Sequence, residues 1–220
     1  MKRKIFLQVC ITGLFFLAAS LQAQYKPKNS GFGVRASFWN MNKSDAGIRV
    51  TSSATHDEVN VSGGGGWLYF FSRVDDYWFV EFNLGGIGDV KASDSYYYSK
   101  DKVDVAAITP FLLGFRQDLM HPRSYSALRP YLTFGVGAYW ISDIHVDEYD
   151  YVRDEVLVNT VFEPGGYAGG GFNFHLTPNL ALNLDAKYHF IDYNVKHDYS
   201  GFDFGMGISF MWGRYRSSRY

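Results

Sequence analysis

The chain has 220 residues, 19% of them aromatic, with 23 glycines, only 6 prolines and a formal charge of −1. That composition argues against disorder and for a glycine-rich β architecture in one domain, and it lacks the basic balance of a nucleic-acid binder. A mean hydropathy of −0.16 with a single long apolar run excludes a helical membrane protein. It does not exclude a membrane barrel, whose strands carry their apolar half in alternation.

The first element is a predicted secretory signal over residues 1–23. Lys2, Arg3 and Lys4 form a positive start, Ile5 to Ser20 an apolar run, and Ala23 a small residue before Gln24. The run is short for a spanning helix, which needs about 20 residues. Cys10, the sole cysteine, lies inside it, and most of the apolar run follows Cys10, unlike the order in a lipoprotein signal. The chain from 24 to 220 would then hold 18 basic and 22 acidic residues and no cysteine. Disulfide staples and thiolate zinc sites are therefore unavailable to it, and no cofactor is expected.

Eight segments of strand character follow, at 31–40, 64–72, 77–88, 103–117, 130–142, 160–176, 180–193 and 201–212. A short basic tail, 213–220, closes the domain. Connectors alternate between long (41–63, 91–102, 143–159, 194–200) and short (73–76, 118–129, 177–179). That pattern suits an antiparallel up-and-down barrel with one elaborated end, and the 118–129 connector fits it least well.

Two-residue periodicity separates the faces. One parity carries Phe32, Val34, Phe38, Trp78, Phe82, Leu132, Phe134, Trp140, Leu184, Phe204 and Phe210. The other carries Arg35, Glu81, Arg116, Asn173, Asp185, Lys187, His189 and Asp203, with most strand glycines, among them Gly33, Gly85, Gly135, Gly169 and Gly207. The concave side of a closed eight-stranded sheet is crowded, so the glycine-bearing polar parity faces a narrow lumen and the bulky apolar parity faces outward to lipid. Trp78 and Trp212 fall near one rim, and Trp140 and Tyr188 near the other, as interfacial girdles do. Segment 64–72 is ambiguous, since Trp67, Tyr69 and Phe71 oppose Leu68 and Phe70. Pairing through the Thr177-Pro178-Asn179 turn sets Asp185 opposite Gly171 and Lys187 opposite Gly169. The last hairpin is expected to set Gly207 beside Asp185, with His189 facing Asp203. Pro164, followed by Gly165 and Gly166, predicts a bulge or break in the wall, because proline cannot donate to a ladder.

The runs Arg129 to Trp140 (RPYLTFGVGAYW) and Gly165 to Phe190, with the closing aromatic strand, resemble the small eight-stranded outer-membrane barrel proteins, especially the OmpW-like and outer-membrane β-barrel-domain families. The resemblance implies an all-β transmembrane barrel in a bacterial outer membrane. Its partners would be the membrane lipid and lipopolysaccharide, and the barrel-assembly machinery. An OmpW-like role would imply passage of a small hydrophobic solute sideways through a gap, for which Pro164, Gly165 and Gly166 are the candidates. One departure is that GRYRSSRY follows Trp212, where many such proteins end on an aromatic residue.

Several readings stay open. The luminal set is either a gate for conduction or a plug of mutually satisfied charges, since buried ions must be paired. His189 with Asp203 is a pH-sensitive pair or a plain hydrogen bond. The acidic stretch 143–155 is a divalent-cation site or a solvated loop, and the tyrosine-rich 91–102 an adhesive tip or a strand extension. Lipid A-modifying enzymes are a rival class, but no histidine has a serine two residues on. A soluble lipocalin-like carrier would need both faces inverted. The reading is a non-enzymatic barrel with a polar lumen and no nucleic-acid partner.

Overall fold

The computed structural model describes residues 27–42, 48–53, 56–95, 102–147, 155–191 and 199–215. The predicted signal, 1–23, and residues 216–220 of the tail lie outside the described residues, as do 96–101 and 148–154 of the two long connectors. Among the described residues there are nine strands: β1 (Ser30–Met41), β2 (Ile48–Ser53), β3 (His56–Arg73), β4 (Trp78–Ser95), β5 (Lys102–Asp118), β6 (Leu128–Asp147), β7 (Glu155–His175), β8 (Leu180–Ile191) and β9 (Gly201–Trp212).

Antiparallel pairing runs from β3 through β9 in chain order, and β1 closes the ring by pairing with both β9 and β3. This is a closed eight-stranded barrel, with β2 an added strand on the outer part of β3. Following ladder partners from Leu132 through Gly170, Ala186, Phe204, Phe38, Gly64, Gly88 and Ala107 returns to β6 at Ser142. The register has advanced ten residues in one circuit, which tilts eight strands by roughly 40° to the barrel axis.

The faces are as the periodicity predicts. Phe32, Phe82, Leu132, Leu184, Phe204 and Phe210 are exposed on the outer wall, while Arg35, Glu81, Lys187, His189 and Asp203 are buried inside. The ambiguous segment resolves with Trp67, Tyr69 and Phe71 inward and Leu68 and Phe70 outward. Inward glycines make room for these side chains. A Cβ on Gly33 would collide with the Tyr69 ring, and one on Gly137 with the Phe111 carbonyl oxygen, 2.8 Å from the Leu112 Cα. On the outer wall, a Cβ on Gly86 meets nothing within 4 Å. Gly137→Val is therefore expected to destabilise the barrel by about 1–3 kcal/mol, the usual range for overpacking, with Gly86→Val near neutral. The temperature at which each loses its folded band on a gel checks this.

Four expectations need correction. The connector 41–63 contains β2 and nearly half of β3, from 56 to 63, so the elaborated end is largely sheet. The last hairpin is one pair out of the expected register: Asp185 pairs with Gly205, and Asp203 with Lys187. The first hairpin is as read, with Asp185 opposite Gly171 and Lys187 opposite Gly169. At Pro164 the β6–β7 register runs without a shift through Ala138↔Pro164 and Gly137↔Gly165, so that side has no bulge, while pairing with β8 starts at Gly165↔Ile191. The interrupted rung lies instead between β4 and β5, where the register skips Gly85 and Gly86 opposite Thr109 and Pro110. Proline at 110 has no N–H to donate.

Lastly, the lumen is not uniformly polar. Trp39, Met41, Ile108, Leu112, Tyr139, Ile141 and Ile191 form one buried cluster, and Tyr69, Phe71, Phe79, Ala181 and Met211 a second. A narrow barrel has no room for water columns beside large side chains, so its interior is closely packed and needs apolar filling.

Candidate functional site: the luminal plug

Seven of the eight inward residues singled out from the sequence are buried, the eighth, Asp185, has a side chain 4% exposed, and they meet in a layered arrangement. At its centre Arg35, projecting from β1, places one guanidinium nitrogen 2.7 Å from Asp185 Oδ1 and 2.8 Å from Asp203 Oδ2. It fits because its neighbour in register on β9 is Gly207, and a Cβ on nearby Gly205 would collide with the guanidinium. Asp185 Oδ2 also accepts from the Tyr131 hydroxyl at 3.1 Å, and Lys187 Nζ lies 4.0 Å from the same oxygen.

His189 reaches Asp203 diagonally, with Nε2 3.5 Å from Oδ2, although Lys187 is the residue opposite Asp203. On its other side Nδ1 is 2.9 Å from the Tyr139 hydroxyl. Rings enclose the imidazole: Trp39 at 4.2 Å, Trp67 at 5.5 Å, and Tyr139 and Tyr167 each at 5.9 Å. The outcome is a continuous Tyr139–His189–Asp203–Arg35–Asp185 chain inside the lumen.

A second group sits toward the short-turn end. Arg116 donates to Glu81 Oε1 at 3.0 Å, and the Thr133 hydroxyl to Glu81 Oε2 at 3.2 Å. The guanidinium of Arg116 is sandwiched between Phe71 and Phe79, 4.4 and 4.3 Å from the ring centroids, a favourable contact for a planar cation. Asp118 then bridges Arg116 at 3.7 Å, Arg129 at 3.5 Å and Arg73 at 3.9 Å. Between the groups, Tyr69 donates to Asn183 at 2.6 Å, and Asn183 donates to Asn173.

Sequence reasoning missed Tyr131, Tyr139, Tyr167, Asn183, Asp118, Arg129 and the two tryptophans of the cage. The inward parity already held Tyr131, Thr133 and Tyr139, but their hydroxyls find Asp185, Glu81 and His189 only across the lumen. Asp118 and Arg129 flank the 118–129 connector, whose inward packing has no periodicity to reveal it. Pro164 is exposed on the outer wall; Gly165 lies against the Tyr139 ring, and the Gly166 carbonyl accepts from the Tyr139 hydroxyl at 3.2 Å. Among the described residues no group of three or more His, Cys, Asp or Glu is placed to hold a metal.

An apolar outer wall around a paired polar centre, closed by shear into eight strands, defines a small barrel that crosses an outer membrane. Residues 11–210 match the model of the outer membrane protein beta-barrel domain, and the chain belongs to that family. Its fold is similar to that of the outer membrane protein OprG from Pseudomonas aeruginosa, with a TM-score of 0.52 at 14% identity over 88% of this chain and 99% of that one. Weaker likenesses are to Ail, the attachment invasion locus protein of Yersinia pestis (TM-score 0.46, 11% identity, 84% and 98% covered), and to Neisserial surface protein A (0.42, 14%, 83% and 96%). No curated protein matches the sequence.

Proposed function

We propose that this outer-membrane protein is a sealed, non-enzymatic barrel that acts through its elaborated end, as a structural or surface-interaction protein. The observation that supports the reading is the state of the lumen. The cavity between Arg35, Glu81, Arg116, Asp185 and Lys187 has a volume of only ≈ 10 Å³, room for roughly one water. Above and below it the lumen is filled by the two aromatic and aliphatic clusters. An ion crossing this path would have to break paired charges and displace tryptophan and tyrosine rings at once.

The test is conductance across planar bilayers in molar KCl at ±100 mV. Folded protein is expected to give no discrete steps, and reproducible single-channel steps from the wild type would overturn the reading. The surface role predicts that shortening 41–63 removes binding to whatever the cell-surface assay detects while heat-modifiable gel mobility persists. Passage of a small hydrophobic solute sideways has one observation in its favour: from Glu155 to Pro164 the described ladder partner of β7 is β6 alone. Uptake of an apolar dye into vesicles containing the protein, with none in empty vesicles, would favour that role.

A further inference from the structure

The segment after β9 turns back onto the barrel. β9 ends at Trp212, and Gly213 follows with φ +85°, a left-handed conformation that glycine adopts readily. The turn lays residues 213–215 across the short-turn end, the periplasmic end of such barrels. There Asn29, just before β1, donates its backbone N–H to the Trp212 carbonyl at 3.2 Å and its side-chain amide to the Arg214 carbonyl at 2.7 Å. Tyr215 reaches the β3–β4 turn, where its hydroxyl donates to Asp76 Oδ1 at 2.6 Å. Arg73, the last residue of β3, ties the three segments together. Its backbone N–H donates to the Asn29 carbonyl at 2.6 Å, its Nε to the Lys28 carbonyl at 3.3 Å and its Nη1 to the Asp76 carbonyl.

These contacts are continuous with the charged interior. The Arg73 guanidinium lies 5.4 Å from the Tyr215 ring centroid and 4.2 Å from that of Phe79, which Arg116 contacts in turn at 4.3 Å. Arg73, Arg116 and Arg129 share Asp118, and Glu81 pairs with Arg116. Asp76, in contact with Arg73, adds a third carboxylate to this group of three guanidiniums, and the Tyr215 hydroxyl fixes its side chain.

We propose that residues 213–215 form a latch that closes after the ring does and holds the seam between β1 and β9 shut. Among the described strands, β1–β9 is the one barrel ladder that joins opposite ends of the chain. Every other pair of neighbours is tied by the segment of chain that runs between them, and the seam lacks such a tie. The latch supplies it. Its contacts link positions 185 and 139 residues apart, Asn29 with Arg214 and Asp76 with Tyr215. Bringing segments so distant together is costly in loop entropy until the ladder has done so, and the latch therefore forms on a closed ring. Interactions made that late slow unfolding and leave the folding rate nearly unchanged. An open seam would bare ladder groups to hydrocarbon, where no water satisfies them, so holding it closed protects the whole wall. The latch rests on contacts at the mouth and not on the sealed lumen, and conductance in the bilayer test would leave it standing.

The test times folding of the full chain into lipid vesicles, and its unfolding from them in urea, by heat-modifiable gel mobility. Tyr215→Phe, which loses the hydroxyl and keeps the ring, is expected to unfold about fivefold faster than wild type, and Tyr215→Ala about tenfold, with folding rates within about twofold. Adding Tyr215→Phe to Asp76→Ala should speed unfolding no further, because both remove the same bond. Tyr125→Ala, in the 118–129 connector and 76% exposed, is the control and should match wild type. A second measurement reads the latch directly. The chain has no cysteine after Cys10, so Asp75→Cys with Arg214→Cys, both at exposed positions flanking the latch, can be treated with a bismaleimide in vesicles. The folded species is expected to be largely cross-linked within one chain, and about threefold less so when Tyr215→Ala is added. Wild-type unfolding rates in both Tyr215 variants, folding slowed as much as unfolding is quickened, or cross-linking unaffected by Tyr215→Ala would each overturn the proposal.

Discussion

Lysine at Leu184 is expected to remove most of the folded protein from the membrane fraction. Leu184 is 55% exposed on the outer wall of β8, midway between Leu180 and Tyr188, and its ladder neighbours are Phe172 and Met206. A lysine at mid-bilayer on a barrel costs about 2–4 kcal/mol, a large share of a total stability of about 5–15 kcal/mol. Leu119→Lys is the matched control. Leu119 is also exposed, at 51%, but lies in the turn after β5, where the cost falls to about 0–1 kcal/mol. The readout is the fraction of membrane-bound protein that shifts between unboiled and boiled gel samples. Similar loss for both variants would mean that the outer wall does not face hydrocarbon.

The second large effect is expected from Arg35→Met. The Arg35 side chain is 2% exposed, and its removal strands the fully buried Asp203, and Asp185 beside a cavity of only ≈ 10 Å³. Breaking a buried ion pair by deleting one partner costs about 3–5 kcal/mol, chiefly because the remaining charge is buried alone. Lys187 at 4.0 Å from Asp185 and His189 at 3.5 Å from Asp203 each reach one carboxylate, and neither bridges the two as the guanidinium does. Adding Asp185→Asn and Asp203→Asn should recover most of the loss, since an uncharged isostere of a buried network is often nearly neutral. Urea unfolding in lipid vesicles reads both steps. A loss below about 1 kcal/mol from Arg35→Met would show that the plug is hydrated and the lumen open.

Most of the barrel wall was legible because its two solvents differ so much. Hydrocarbon tolerates no charge on one parity, and a narrow lumen tolerates no large group beside another. The positions of Phe204 and Gly205, or of Leu184 and Asp185, therefore declare their faces in sequence. Segment 64–72 was ambiguous because Trp67 and Tyr69 point inward, as bulky as the Leu68 and Phe70 that point outward. Composition cannot separate faces that are both aromatic. The one-pair error in the last hairpin has a similar origin. A slip by two residues keeps every parity, and Gly205 and Gly207 offer equal room beside Asp185. Only the full ladder, tied to β1 at Arg35↔Gly207, settles which glycine it meets.

Pro110 and Pro164 show the same limit. Both signal a missing donor, but the damage depends on which neighbour that donor would have faced. At Pro164 the β6 register passes undisturbed, whereas at Pro110 it skips two pairs on the β4 side.

The sequence by itself determined the eight barrel strands, the facing of most of them, the membrane class and the central luminal charges, because each follows from a local alternation between unlike solvents. Tertiary structure alone decided which charges pair and how His189 is caged. Those outcomes depend on register between strands. Register comes from closure of the whole ring with a ten-residue shear, a property that no single segment carries.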